Sequence, residues 1–317
     1  MKYYSTRDNT RYVSGAEAIA RGQAPDGGLY VPESFPAISK EELEKLIPLS
    51  YADLAFCITK LYLPEFTDEE IYEFTKLSYG ANFSSPEVAP LHALNDDTSV
   101  LELWHGPTCA FKDMALQYLP HLLTGSLKKI GETKEVCILV ATSGDTGKAA
   151  LEGFADVQGT SILVFYPRDG VSDIQKLQMT TQTGENVGTA AINGNFDDAQ
   201  MAVKAIFGDA LLRDELERSG KFLSSANSIN WGRLLPQIVY YVYAYTSLVR
   251  SGKITLGDKI NFCVPTGNFG NIFAGYIAKE MGIPVNKLIC ASNANKVLTD
   301  FFAKGVYDKR RELILTA

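Results

Sequence analysis

The sequence predicts an α/β fold in two lobes, with parallel-rich sheets flanked by helices. Two patterns and one size argument lead there. Between residues 100 and 225, short apolar runs end in glycine or polar turns and alternate with helical stretches, the signature of buried parallel strands in βαβ units. The same order of strand, turn and helix returns at Ile260. A chain of 317 residues, 46% apolar and 21% charged, is ordinary globular material. At roughly 100–200 residues per domain it makes two domains, or one large one.

Three sections are expected: 1–100 as an N-terminal segment packing on the large domain, 101–225 as a smaller α/β domain, and 226–317 as the large domain. In the first, Ser14 is placed to cap a helix over Gly15–Arg21, and Pro25–Gly28 is a turn. Lys40–Leu46 and Asp68–Lys76 have the acidic, periodic look of surface helices, the second with Thr67 as N-cap. Met114–Leu123 is amphipathic. Strands follow at Val136–Ala141, Ser161–Tyr166 and Asn186–Ile192, with helices at Lys148–Val157, Ser172–Thr181 and Asp197–Phe207.

Near Ser224 the pattern changes to a long helix over Ile229–Arg250, with Pro236 near its start. A strand at Ile260–Val264, a helix running to Met281 and a strand at Lys287–Ala291 complete the reading. Tyr240, Tyr241, Tyr243 and Tyr245 on the long helix suit core packing or a subunit interface, so a homodimer stays open.

Charge and cysteine usage exclude several classes. Thirty basic against 37 acidic residues give −7 with no basic block, which argues against nucleic acid and anionic membranes as partners. The apolar run Ile238–Val249 is broken by Thr246 and Ser247 and falls short of the ~20 residues of a bilayer span. The polar opening Met1–Arg7 has no signal-peptide core, so the expected location is cytoplasmic. Cys57, Cys109, Cys137, Cys263 and Cys290 are scattered without metal or CxxC spacing. The expectation is buried free thiols and no metal site.

Two loops share one physical logic. Thr142-Ser-Gly-Asp-Thr-Gly147 and Pro265-Thr-Gly-Asn-Phe-Gly-Asn271 each join a buried strand to a helix. Such a turn aims unpaired backbone N–H groups and the positive end of a helix dipole at one point, so one loop can hold a phosphate and the other a carboxylate. Each is equally a common structural connector. Neither matches the Walker or GxGxxG pattern, which demotes nucleotide folds.

Lys112 lies among Ala110, Phe111 and Met114 where a helix begins. Desolvation there lowers its pKa and frees the amine for a Schiff base; the bland alternative is a snorkelling lysine paired with Asp113. His105 has no partnered nucleophile and reads as a hydrogen-bonded structural residue. Cys109 has no assignable base.

At these residues a resemblance emerges. His105-Gly-Pro-Thr-Cys-Ala-Phe-Lys-Asp113, Ala141-Thr-Ser-Gly-Asp-Thr-Gly147, Asn227-Ser-Ile-Asn-Trp231 and Gly267-Asn-Phe-Gly270 together closely resemble the threonine synthase family. The opening Tyr4-Ser-Thr-Arg7, the stretch Ala24–Pro32 and Asp169–Gln175 look like that family too, so the similarity runs end to end. It implies pyridoxal-phosphate fold type II, the tryptophan-synthase-β type, with the large domain binding the cofactor pyridoxal 5′-phosphate. It further implies Lys112 as the lysine that carries the cofactor and moves protons, and Gly267, Asn268, Phe269, Gly270 and Asn271 as the loop for its phosphate. Ser143, Gly144, Asp145 and Thr146 match the loop facing the substrate's amino-acid end, and Asn227, Asn230 and Arg233 lie in a motif near the site. Arg233 is either a ligand for a substrate phosphate or a structural ion-pair residue.

The implied reaction turns O-phospho-L-homoserine and water into L-threonine and phosphate, by γ-elimination of phosphate and β-addition of water. Members of the family continue well past Leu313–Ala317, so the C-terminal part of the large domain, with the usual partner of the pyridine nitrogen, is expected to be missing. Two rivals remain: a related lyase acting on an unphosphorylated amino acid, and a catalytically silent protein that keeps the pocket.

Overall fold

The computed structural model describes residues 1–308 and Arg310, so Leu313–Ala317, where the chain was expected to stop short, lies outside the described residues. In chain order the first elements are β1 (Tyr3–Ser5), β2 (Asp8–Val13), α1 (Gly15–Arg21), β3 (Tyr30–Pro32), α2 (Lys40–Leu46), α3 (Tyr51–Tyr62) and α4 (Asp68–Ser78). Next come β4 (Leu91–Ala93), β5 (Ser99–Leu101), α5 (Asp113–Leu116), α6 (Leu119–Ile130), β6 (Glu135–Ala141), α7 (Asp145–Phe154), β7 (Thr160–Pro167), α8 (Asp173–Thr180) and β8 (Val187–Ile192). They are followed by α9 (Phe196–Gly208), α10 (Ala210–Arg218), β9 (Lys221–Ser224) and α11 (Trp231–Arg250). The last are β10 (Ile260–Pro265), α12 (Gly270–Glu280), β11 (Val285–Ala291) and α13 (Val297–Lys304).

Met1–Ser34 and Leu49–Tyr240 form one compact unit, and Phe35–Pro48 with Tyr241–Ala317 the other. The first unit is built on a four-stranded parallel sheet of order β8-β7-β6-β9. Strands β6 and β7 alternate fully buried Val136, Ile138, Val140, Ile162 and Val164 with less buried neighbours. From β6 the chain winds outward to β7 and β8, then returns to place β9 on the other side of β6. That reversal leaves a crevice at the C-terminal ends of β6 and β9, where open α/β sheets bind ligands. A separate small sheet, β2-β1-β3, is tied to the start of α11 through Tyr3, which packs on Trp231 at a ring-centroid distance of 5.7 Å, and Tyr62 at the end of α3 packs on the same ring at 5.3 Å.

In the second unit β10 and β11 pair in parallel and α12 joins them. Tyr241 packs edge-on against Phe262 and its hydroxyl donates to Asn271 at 2.7 Å. Gly275 is required on α12, because a Cβ there would stand 2.8 Å from the Tyr241 ring.

Several expectations need correction. Met114–Leu123 is not one helix: Pro120 sits in the first turn of α6, a position it favours, and the preceding helix ends before it. All five cysteines are free, yet none is buried: Cys109 and Cys263 are exposed and the other three are half-buried. Cys109 sits on a turn at φ +58°, and Cys263 lies on a two-stranded sheet with no third strand to cover it among the described residues. The four tyrosines of α11 are at most 3% exposed, which fits core packing. Among the described residues no helix is long and apolar enough to cross a membrane, and no cluster of three metal-ligating side chains occurs.

Candidate active site

Lys112 is positioned by a locked turn. The Thr108 backbone N–H and hydroxyl donate to the two oxygens of Asp113, at 2.8 and 2.7 Å, and the Asp113 N–H returns to the Ala110 carbonyl at 3.0 Å. Gly106 closes against Asp113 so tightly that a Cβ would lie 2.4 Å from the aspartate Cβ. Asp113 is fully buried and already engaged, so it is not the partner of Lys112. The lysine Nζ instead lies 3.7 Å from a carboxylate oxygen of Asp145 and 4.3 Å from the centroid of the Phe111 ring. Its side chain is 16% exposed, and burial pushes the amine below the ordinary lysine value against the opposing pull of Asp145.

Asp145 opens α7 after a loop that largely satisfies itself. The Thr142 hydroxyl accepts from the N–H groups of Gly144 and Gly147, at 3.0 and 2.9 Å, and donates to the Gly144 carbonyl at 2.9 Å. Gly144 has φ +147°, a conformation open in practice to glycine alone. Gln175 then holds the carboxylate: its Nε2 donates to Asp145 Oδ1 at 2.7 Å. Sequence alone did not reveal this role of Gln175. Its signal was the Ser172-x-x-Gln175 capping box, both halves of which form. Ser143 is exposed and Thr146 half-buried beside this carboxylate.

The segment after β9 comes to the same crevice. Asn227 Nδ2 approaches the Ala141 carbonyl at 3.4 Å, while its buried Oδ1 has no partner among the described residues. Asn230 works for the fold instead. Its amide donates to the carbonyls of Ile19 and Ser225, both at 3.0 Å, and accepts from Gly232 N–H at 2.9 Å. Both amide hydrogens are therefore consumed internally. Arg233, in the first turn of α11, is 2% exposed, and its Nε and Nη1 have no partner among the described residues. Burial pushes it down to about 10, so it remains a cation at neutral pH. It makes no salt bridge with any described residue. His105 is structural as expected: Nε2 pairs with Glu102 at 2.7 Å and Nδ1 with the Ser84 hydroxyl at 3.0 Å.

In the second unit the other loop is open. Among the described residues, no side chain caps the start of α12 and none comes within 4 Å of a Cβ built on Gly267. Asn271 is held by Tyr241, Phe269 is 43% exposed, and Thr266 ties the strand end to Ala291 at 2.8 Å. An uncapped helix start with space above a glycine suits a bound phosphate. A desolvated lysine suits an aldehyde. Each, taken in its own unit, suits one group of pyridoxal phosphate.

Residues 2–79 match the family described as threonine synthase N terminus, and residues 88–313 match pyridoxal-phosphate dependent enzyme. The chain is 44% identical over 304 residues to threonine synthase-like 1 of Homo sapiens, covering 93% of this chain and 40% of that protein. It superimposes on the PLP-bound threonine synthase of Brucella melitensis with a TM-score of 0.86 at 40% identity, covering 98% of this chain and 64% of that one. For threonine synthase from Escherichia coli the TM-score is 0.84 at 35% identity, with 97% of this chain and 68% of that chain covered. The chain spans between 40% and 63% of the length of the curated relatives it matches. Fold and site thus define a class first, the fold type II enzymes that depend on pyridoxal phosphate. Within that class, the chain belongs to the threonine synthase family.

Proposed function

We propose that the chain acts as a pyridoxal-phosphate-dependent carbon–oxygen lyase on a phosphate ester, converting O-phospho-L-homoserine and water into L-threonine and phosphate. The observation that carries this reading is the presence, in one unit, of a desolvated Lys112 and of Arg233, a buried cation with two nitrogens that have no partner among the described residues. A lyase for unphosphorylated amino acids has no use for a second anion receptor. The bound cofactor supplies an electron sink for carbon–hydrogen cleavage beside the amino group.

Each remaining role falls to a residue of the chain. Lys112 takes the cofactor's aldehyde and, once released, carries protons between adjacent carbons. Its long stem reaches several positions, and burial keeps the amine nearer neutrality than an exposed lysine. Asp145, fixed by Gln175, faces that amine and moderates its loss of charge. Arg233 receives the substrate phosphate and stays with it as it leaves. Ser143, Gly144 and Thr146 meet the amino-acid end, with the free Asn227 Oδ1 as a further acceptor. The Gly267–Asn271 loop holds the cofactor phosphate. A cytoplasmic setting goes with the reading, supported by five cysteines that form no disulfide. A homodimer gains no support from the α11 tyrosines, which are buried.

The test is product analysis on the cofactor-loaded chain. Equal release of phosphate and threonine from O-phospho-L-homoserine is expected. Turnover of serine or threonine instead, with ammonia released, would select the unphosphorylated-substrate lyase. No turnover with cofactor attached to Lys112, in a chain carried on to the full length of its relatives as well as in this one, would select the silent protein.

A further inference from the structure

The first unit contains a cavity of about 460 Å³ away from Lys112 and the loops described above, lined by the C-terminal end of α1, the turn after it, α9, α10 and β9. Its volume falls in the ~300–1,000 Å³ range of small-molecule sites. Four cations line it, Arg7, Arg21, Lys204 and Arg213, against one carboxylate, Glu217. That excess of positive charge stands out in a chain whose net charge is −7. Arg21 is already paired with Glu17 at 2.9 Å, but the side chains of Lys204 and Arg213 make no hydrogen bond or ion pair with any described residue. Phe207 and Phe222 add an apolar wall, and Gln23 an amide.

One wall is preorganised. The Ser5 hydroxyl donates to Asp26 at 2.8 Å, Gly28 N–H donates to the same oxygen at 2.8 Å, and the Arg7 guanidinium donates to the Asp26 carbonyl at 2.9 Å. Gly28 packs so closely that a Cβ would lie 2.1 Å from the Ser5 hydroxyl. The turn Ala24–Gly28 is thereby clamped onto the β1–β2 turn, and Arg7 is held at the rim at little further entropic cost. The opening and Ala24–Pro32 stretches, prominent in the sequence, play no part in the proposed reaction. Here they shape a charged cleft.

We propose that this cavity is a second anion site, built for a small phosphate monoester with an apolar body. Arginine forks and a lysine point charge take the phosphate, and the phenylalanine wall takes the body. Occupancy is communicated at Gly22, between Arg21 and Gln23, where a Cβ would stand 3.0 Å from Ser224 Oγ and 3.1 Å from Asn230 Nδ2. Asn230 in turn leads directly into Arg233.

The experiment uses the pyridoxal-phosphate-loaded chain, phenyl phosphate as probe and phenol as control, followed by calorimetry and by backbone amide chemical shifts. Saturable binding of phenyl phosphate, none of phenol, and shifts around Gln23, Arg213 and Asn230 are expected. The double variant Lys204→Ala/Arg213→Ala, whose helices are exposed there, should load cofactor normally and bind the probe at least tenfold more weakly. Absence of saturable binding would overturn the proposal. So would unchanged affinity in the double variant, or shifts confined to Lys112 and the Gly267–Asn271 loop.

Discussion

The loops Thr142–Gly147 and Pro265–Asn271 are twins in sequence and opposites in structure. Both leave a parallel strand, carry two glycines and open a helix whose N-cap residue makes no capping side-chain bond. In the first, the Thr142 hydroxyl bridges three backbone groups and Gly144 is glycine because the backbone turns through φ +147°. In the second, no described residue stands within 4 Å of a Cβ on Gly267. One glycine therefore serves the chain and the other leaves room for a guest. The lesson is that a strand–glycine–helix connector does not reveal its use until its donors are counted.

The largest expected effect concerns the residue that the closed loop serves. Lys112→Ala should eliminate covalent attachment of the cofactor, read by borohydride reduction and mass spectrometry, while the circular dichroism spectrum stays native. Residual, reversible binding should persist, since the Gly267–Asn271 loop proposed to hold the phosphate is untouched. Release of phosphate from O-phospho-L-homoserine at the wild-type rate in this variant would sink the assignment of Lys112.

Gly267→Ala and Gly144→Ala then separate the twins directly. The first adds a methyl group to open space, so thermal stability should hold while cofactor affinity falls by tenfold or more, about 1.4 kcal/mol. The second forces alanine into a glycine-only conformation that costs roughly 1–3 kcal/mol, and it crowds the Gln175 amide that holds Asp145. Its melting temperature should drop, with cofactor affinity affected less. The reverse pattern would show that the open and closed loops had been assigned the wrong way round.

Local rules made much of this legible. Ser14 and Thr67 cap the helices expected of them, because a side-chain oxygen three residues before a free N–H needs no tertiary information. Strands β6, β7 and β8 were visible as apolar runs for the same reason. By contrast β9 spans only Lys221–Ser224, and its strand state comes from pairing with β6. Asp113 illustrates the limit best. Adjacency suggested it as the partner of Lys112, yet Thr108 takes its carboxylate and the fold delivers Asp145 from 33 positions further along. Likewise Asn230 reads as a site residue in its motif, but its amide ties α1 to the segment after β9.

The smallest expected effect tests how the closed loop tunes its lysine. Burial lowers the Lys112 amine, and Asp145 at 3.7 Å raises it by favouring the ammonium form, with burial the stronger influence. Asp145→Asn removes the raising influence only. The amine should therefore lose its proton at a lower pH than in wild type, and the pH dependence of cofactor attachment to the unloaded chain should move toward acid. Initial attachment rates compared pH by pH with wild type cancel the cofactor's own titration. Gly267→Ala changes no charge and should leave the midpoint in place, although attachment is weaker throughout. An unchanged midpoint in Asp145→Asn would mean that Asp145 does not face the amine in solution, and that the closed loop serves the fold alone.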